Sequence, residues 1–145
     1  TNSANTGFNL ITKYAKADYV CIDAPEARLA TGDRFSDIPT ILSKRLPPLI
    51  DCSRFTVTMG QLGAATWAKG KKVSIIPAFT KQVVDTVGAG DAVLAVTSPL
   101  VAAGGRMDLV GFVGNAVGAI KVGIVGHRRS VDRIELIKFV ERLLK

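Results

Sequence analysis

Asp85-Thr86-Val87-Gly88-Ala89-Gly90-Asp91 places a glycine-rich turn and a carboxylate directly ahead of an apolar run from Ala92 to Ala103. Such a turn leaves backbone N–H groups free at a helix N-terminus, where the helix dipole also favours negative charge. That combination suits a phosphate or a charged transition state. Gly88 and Gly90 permit positive φ and a close approach of ligand to backbone. Asp91 adds an ionised oxygen beside the anion site, where it would repel a phosphate that was merely bound. Its fitting role is that of a base taking the proton of an attacking hydroxyl. Taken in isolation, Gly-Ala-Gly-Asp is just as well an Asp-bearing helix start after a glycine turn.

Two more patterns precede it. Thr58-Met59-Gly60-Gln61-Leu62-Gly63 ends the apolar run Phe55–Met59, and Asp23-Ala24-Pro25-Glu26 ends the run Tyr19–Ile22. Together, and in this order, the three segments resemble the ribokinase-like (pfkB) carbohydrate kinases. Asp-Thr-x-Gly-Ala-Gly-Asp matches that family's C-terminal signature. The Thr58–Gly63 segment matches its T-x-G-x-x-G turn, and Asp23 to Glu26 stands where it has N-x-x-E.

The resemblance implies ATP and Mg²⁺ as cofactors and a sugar or sugar phosphate as acceptor. It assigns Thr58, Gly60, Gly63 and Thr86 to the nucleotide, and Gly88, Ala89, Gly90 and Asp91 to catalysis. Asp23 and Glu26 would organise Mg²⁺ and phosphate, and Asn115 would line the adenine pocket from the penultimate helix. From the residues alone, Thr86 also fits a strand end with no function, and Asn115 a helix side chain paired to backbone. Asp23 replaces the family's Asn and brings extra negative charge, favouring direct Mg²⁺ binding or marking a weakened site. The Gly-rich C-terminal helices resemble most the heptose-phosphate kinase domains joined to a nucleotidyltransferase. The likeness runs from Asp18 to the last helix and covers only the nucleotide-binding half of the family's domain. The N-terminal half, with most of the sugar pocket, has no counterpart here.

The expected fold class is therefore α/β, a partial three-layer α-β-α ribokinase-like open sheet. Residues 1–17 would be a polar lead and short helix, and residues 18–145 the C-terminal half of a kinase domain. The pattern along the chain predicts a helix over Phe8–Lys16 and a strand over Tyr19–Ile22. Next come a helix over Ala24–Ala30 stopped by Gly32, and another from Ser36 or Asp37 to Arg45, ended by Pro47-Pro48. A strand at Phe55–Met59 and a hairpin of Ala64–Lys69 with Lys72–Ile76 follow, then a helix over Ala89–Ala103 closed by Gly104-Gly105. All three motifs then fall after strands or at helix starts, on the ligand edge of an open α/β sheet.

Leu109–Gly126 is apolar over about the minimum membrane-spanning length, and Gly114-x-x-x-Gly118 resembles a transmembrane packing motif. Asn115, Lys121 and five glycines argue instead for a small-residue helix packed on the sheet. Asp132-Arg133-Ile134-Glu135 reads as a capping box for a final helix covering one sheet edge.

The formal charge is +7, concentrated at Lys69–Lys72 and His127–Arg129. Solvated loops account for both clusters, and attraction of polyphosphates comes second. With no interleaved aromatics or recognition motif, nucleic acid is not an expected partner. Cys21 and Cys52 read as buried free thiols of a reducing compartment, with a disulfide left open, and His127 is the sole histidine. The lack of a leader-like N-terminus gives a cytoplasmic expectation, and a homodimer is left open. A non-catalytic nucleotide-binding or assembly domain of the same fold is the competing reading. A dinucleotide-binding domain fits less well, since Val93 stands where its third glycine belongs. A P-loop is absent.

Overall fold

The computed structural model describes residues 9–80, 82–126 and 128–145. The polar lead before Asn9, Lys81 and His127 lie outside them. Four strands, β1 (Val20–Asp23), β2 (Arg54–Thr58), β3 (Ala64–Ala68) and β4 (Ser74–Ile76), form one sheet in chain order. β1 and β2 are parallel, with Asp23 opposite Thr58, whereas β2–β3 and β3–β4 are antiparallel.

Alternation along the strands separates two faces. One face presents Val20, Ile22, Phe55, Val57, Ala65 and Trp67, and packs against Ala27 of α1 (Ala24–Thr31) and Ile41 and Leu42 of the next helical segment. Phe55 and Trp67 meet with ring centroids 5.9 Å apart. That segment begins as α2 (Ile38–Thr40) and widens into a π turn over Ile41–Arg45.

The other face carries Tyr19, Thr56, Thr66 and Ala68 toward α3 (Ala89–Ala102) and α4 (Met107–Lys121). The Tyr19 hydroxyl lies 2.9 Å from Thr56 Oγ1 and 3.0 Å from Thr97 Oγ1. Thr97 spends its own proton on Val93 O, at 2.7 Å, so Tyr19 donates to Thr97 and accepts from Thr56. Small residues let α4 sit close. A Cβ on Gly111 would come within 2.6 Å of Thr66 Cγ2, and one on Gly114 within 2.9 Å of Thr97 Cγ2. The layers are thus helix, sheet and helix, as the family resemblance implies.

The differences are local. Among the described residues of the first expected helix, only a 3₁₀ turn at Ile11–Lys13 forms. β1 runs one residue further than expected, so Asp23 both ends the strand and caps α1. The box expected at Asp132 is half made. Asp132 accepts from Ile134 and Glu135 N–H, but Glu135 reaches to Arg129, at 2.5 Å, instead of back to Asp132. α5 (Arg133–Leu143) rests mainly on α4, not on the sheet edge, and buries no residue fully. No helix among the described residues is long and apolar enough to cross a membrane. Both cysteines are free thiols, and burial pushes that of Cys21 up to about 11.

Candidate functional site

Asp23 and Thr58 are neighbours at the C-terminal ends of β1 and β2, so the first two motifs leave the sheet at one edge. After Thr58 the chain makes a tight 3₁₀ turn over Gly60–Leu62, closed by Met59 N–H donating to Gly63 O at 2.7 Å. Gly63 has φ +92°, and a Cβ there would lie 2.0 Å from Ile76 O. Only glycine fits between this turn and the exit of β4.

The third motif reaches the same place from the far side of the sheet. Val84 and Asp85 N–H both donate to Val122 O, at 2.8 and 3.0 Å, which fixes the strand-like approach to the end of α4. Asp85 Oδ1 then accepts from Val87 N–H at 2.9 Å and shapes the turn. Gly88, at φ 73°, is the N-cap of α3 and offers no side chain to its first amides. Gly90 is already helical, so of the two glycines only Gly88 uses a positive φ. Ala89 N–H donates to Thr86 O at 3.1 Å, which commits one of the three amides expected to face an anion. Among the described residues the Gly90 and Asp91 N–H groups have no acceptor. Asp91, two residues into α3, is exposed.

Between these turns opens a pocket of about 230 Å³. It gathers Thr58, Gly60, Gly63, Thr86, Ala89, Gly90 and Asn115 from the sequence-derived set. Gly88, Asp91, Asp23 and Glu26 do not line it. Sequence reasoning missed the apolar part of its wall, Phe79, Val83, Val93, Ala119 and Val122 joined by Gly118. These residues carry no motif. Only Gly118 and Ala119 had a signal, the small-residue pattern of α4, which points to close packing before it points to a cavity. Asn115 lines the pocket and also ties α4 to the sheet, its Nδ2 donating to Ile76 O at 2.9 Å.

Asp23 and Glu26 form a complete capping box, with Glu26 N–H on Asp23 Oδ1 at 2.7 Å and Asp23 N–H on Glu26 Oε2 at 3.1 Å. Burial raises the Asp23 carboxyl above its ordinary value, its own hydrogen bond from Glu26 N–H opposing this and the Glu26 charge adding to it. No group of three or more potential metal ligands occurs among the described residues. One or two protein carboxylates are nonetheless what a Mg²⁺ ion takes when nucleotide phosphates and water complete its shell. The donor set fits that ion.

The bifunctional protein HldE of Geobacter metallireducens is 33% identical over 121 residues, covering 81% of this chain and 24% of its own. Among solved structures, Arabidopsis thaliana ribokinase complexed with ribose and ATP superposes with a TM-score of 0.73 at 24% identity. The match covers 86% of this chain and 41% of that one. Thermotoga maritima ribokinase gives 0.72 at the same identity, covering 86% and 42%. The chain thus spans about a quarter of the length of the curated relatives it matches and well under half of the solved ones. The profile of the pfkB family carbohydrate kinases matches residues 8–133, and the chain belongs to that family.

Proposed function

We propose that this chain is the nucleotide-binding half of a kinase that transfers the γ-phosphoryl group of ATP to a hydroxyl of a sugar or sugar phosphate. The observation that carries the reading is the pocket opening on the start of α3, where amides without an acceptor among the described residues stand beside Asp91. The apolar wall of Phe79, Val83, Val93 and Val122 suits a flat base, and the turns after Thr58 and Thr86 suit its phosphates. The Gly90 and Asp91 amides would hold the γ-phosphate, with Gly88 as the N-cap and Ala89 shaping the turn through Thr86 instead of binding.

Asp91 would take the proton of the acceptor hydroxyl as that oxygen attacks phosphorus in line and ADP departs. Phosphoryl transfer depends mainly on positioning and charge stabilisation, which a helix start supplies. Bound Mg²⁺ adds charge neutralisation of the phosphates, and Asp23 and Glu26 are the residues that would hold it, through water. A heptose phosphate is the acceptor we favour, on the likeness of the motifs to heptose-phosphate kinases and the similarity to HldE proteins.

The test is Asp91→Asn in the full-length protein, assayed with Mg²⁺–ATP against a panel of sugars and sugar phosphates. Turnover should fall by about 10²–10⁴-fold, the usual contribution of a positioned base, with nucleotide affinity unchanged within a few-fold. A variant that keeps most of its turnover removes Asp91 from this role.

A further inference from the structure

Lys121 is a lysine with only 5% of its surface exposed, at the last position of α4. An ammonium withdrawn from water this far is costly unless its hydrogen bonds are replaced. It donates to Gly126 O. The N–H of the same residue, Gly126, donates to Asp85 Oδ2 at 2.7 Å. Gly126 is therefore gripped on one side by a buried cation and on the other by the carboxylate that shapes the turn before α3. We propose that Lys121 is a positioning residue for that turn, acting through the Gly126 backbone that it shares with Asp85. The proposal rests on reading the turn as the phosphate-binding element.

Three features support it. The turn is not held by the apolar core, for Val84 is 63% and Val87 53% exposed. What fixes it is polar: the Val122 carbonyl takes the Val84 and Asp85 amides, and Asp85 bridges Val87 and Gly126. Lys121 and Val122, adjacent at the α4 terminus, thus anchor the turn twice, once by backbone and once by side chain. Finally, burying an ammonium is a poor way to gain stability, since an apolar side chain of similar volume commonly serves as well or better. A charged group retained there points to placement of the loop it bonds.

The experiment compares Lys121→Met with the unsubstituted full-length protein. Lys121→Met should retain its thermal stability but lose about 10–100-fold in kcat, the scale expected for a turn displaced by about 1 Å. Nucleotide KM should stay within about threefold, and amide exchange at Val84, Asp85, Val87 and Ala89 should quicken by about tenfold, the worth of one hydrogen bond. Exchange at Phe55 and Val57 in β2 should not change. Asp85→Asn, on a half-exposed side chain, provides the same test if Lys121→Met folds poorly. Where Lys121→Met folds, adding it to Asp85→Asn should cost less than twofold more in kcat, because both act through Gly126. Unchanged exchange at these four amides in a folded variant overturns the proposal, as does kcat within twofold of the unsubstituted protein. If the unsubstituted protein transfers no phosphoryl group, the kinase reading fails while the exchange measurement still decides the role of Lys121.

Discussion

The residues that shape the site do so through backbone geometry more than through side-chain chemistry. Gly63 is the sharpest case, with φ +92° and Ile76 O only 2.0 Å from where a Cβ would stand. Gly63→Ala should cost about 3 kcal/mol or more, combining a forbidden backbone region with a clash against backbone atoms that cannot swing away. Urea unfolding measures this, and a loss below about 1 kcal/mol would contradict the geometry. Gly90 is the opposite case, since its φ is helical and a Cβ there meets nothing within 4 Å. Its glycine leaves open space in front of two amides that no group among the described residues takes up. Both glycines were visible in the sequence as parts of motifs, but the reason for each was not. Gly63 is set by β4, distant in sequence, and the sequence pattern gives no register for that contact. Asp85 was equally visible, as the first letter of its motif. Its bond to Gly126 depends on a loop forty-one residues away.

At the scale of elements, the sequence was most readable where a local signal and the hydrophobic period agreed. Gly32 ends α1 at φ 62°, Gly104 follows α3, and Asp37 caps α2 by accepting from Thr40 N–H. It was least readable where a tertiary partner competes, as at Glu135, drawn to Arg129 and away from its own helix cap. The loop between α1 and α2 shows how such partners act. Asp33 accepts from Ser36 and Phe35 N–H at 2.9 and 3.1 Å and pairs with Arg45, while Arg28 Nη1 donates to the carbonyls of Asp33, Arg34 and Ser36. The Ser36 hydrogen bonds, first among these influences, hold the Asp33 carboxyl down to about 2. A carboxylate whose value is lowered on folding contributes stability above its ordinary value near 4, and loses it as pH falls through the lowered one. The difference in thermal midpoint between the unsubstituted protein and Asp33→Asn should therefore shrink from pH 4 to pH 2. A difference that stays constant over that interval would contradict the bracing role. Asp23 runs the other way, because burial raises its carboxyl and its ionisation opposes folding as pH rises through the carboxylate range.

For the whole molecule, the arrangement is a sheet whose ligand edge receives three turns and whose second face is covered by helices rich in small residues. α3 and α4 approach closely because Gly114 faces Thr97 and Val93. That closeness brings Gly118, Val122 and Asn115 of the α4 side to the same pocket as the start of α3. The stretch that looked closest to a membrane span is thus one wall of the candidate nucleotide site. Asp23 and Glu26 stand on the same sheet edge beside Thr58 but outside the pocket wall. On the proposed function, the pocket at the start of α3 takes a nucleotide by its phosphates. Calorimetric titration of this chain with Mg²⁺–ADP and Mg²⁺–ATP, beside Gly90→Glu, tests it most directly. Open space around Gly90 lets the variant fold while its carboxylate fills the anion position. Saturable binding by the unsubstituted chain, lost in an equally stable Gly90→Glu, is the predicted result. Equal binding by both, or none by a folded unsubstituted chain, would contradict it.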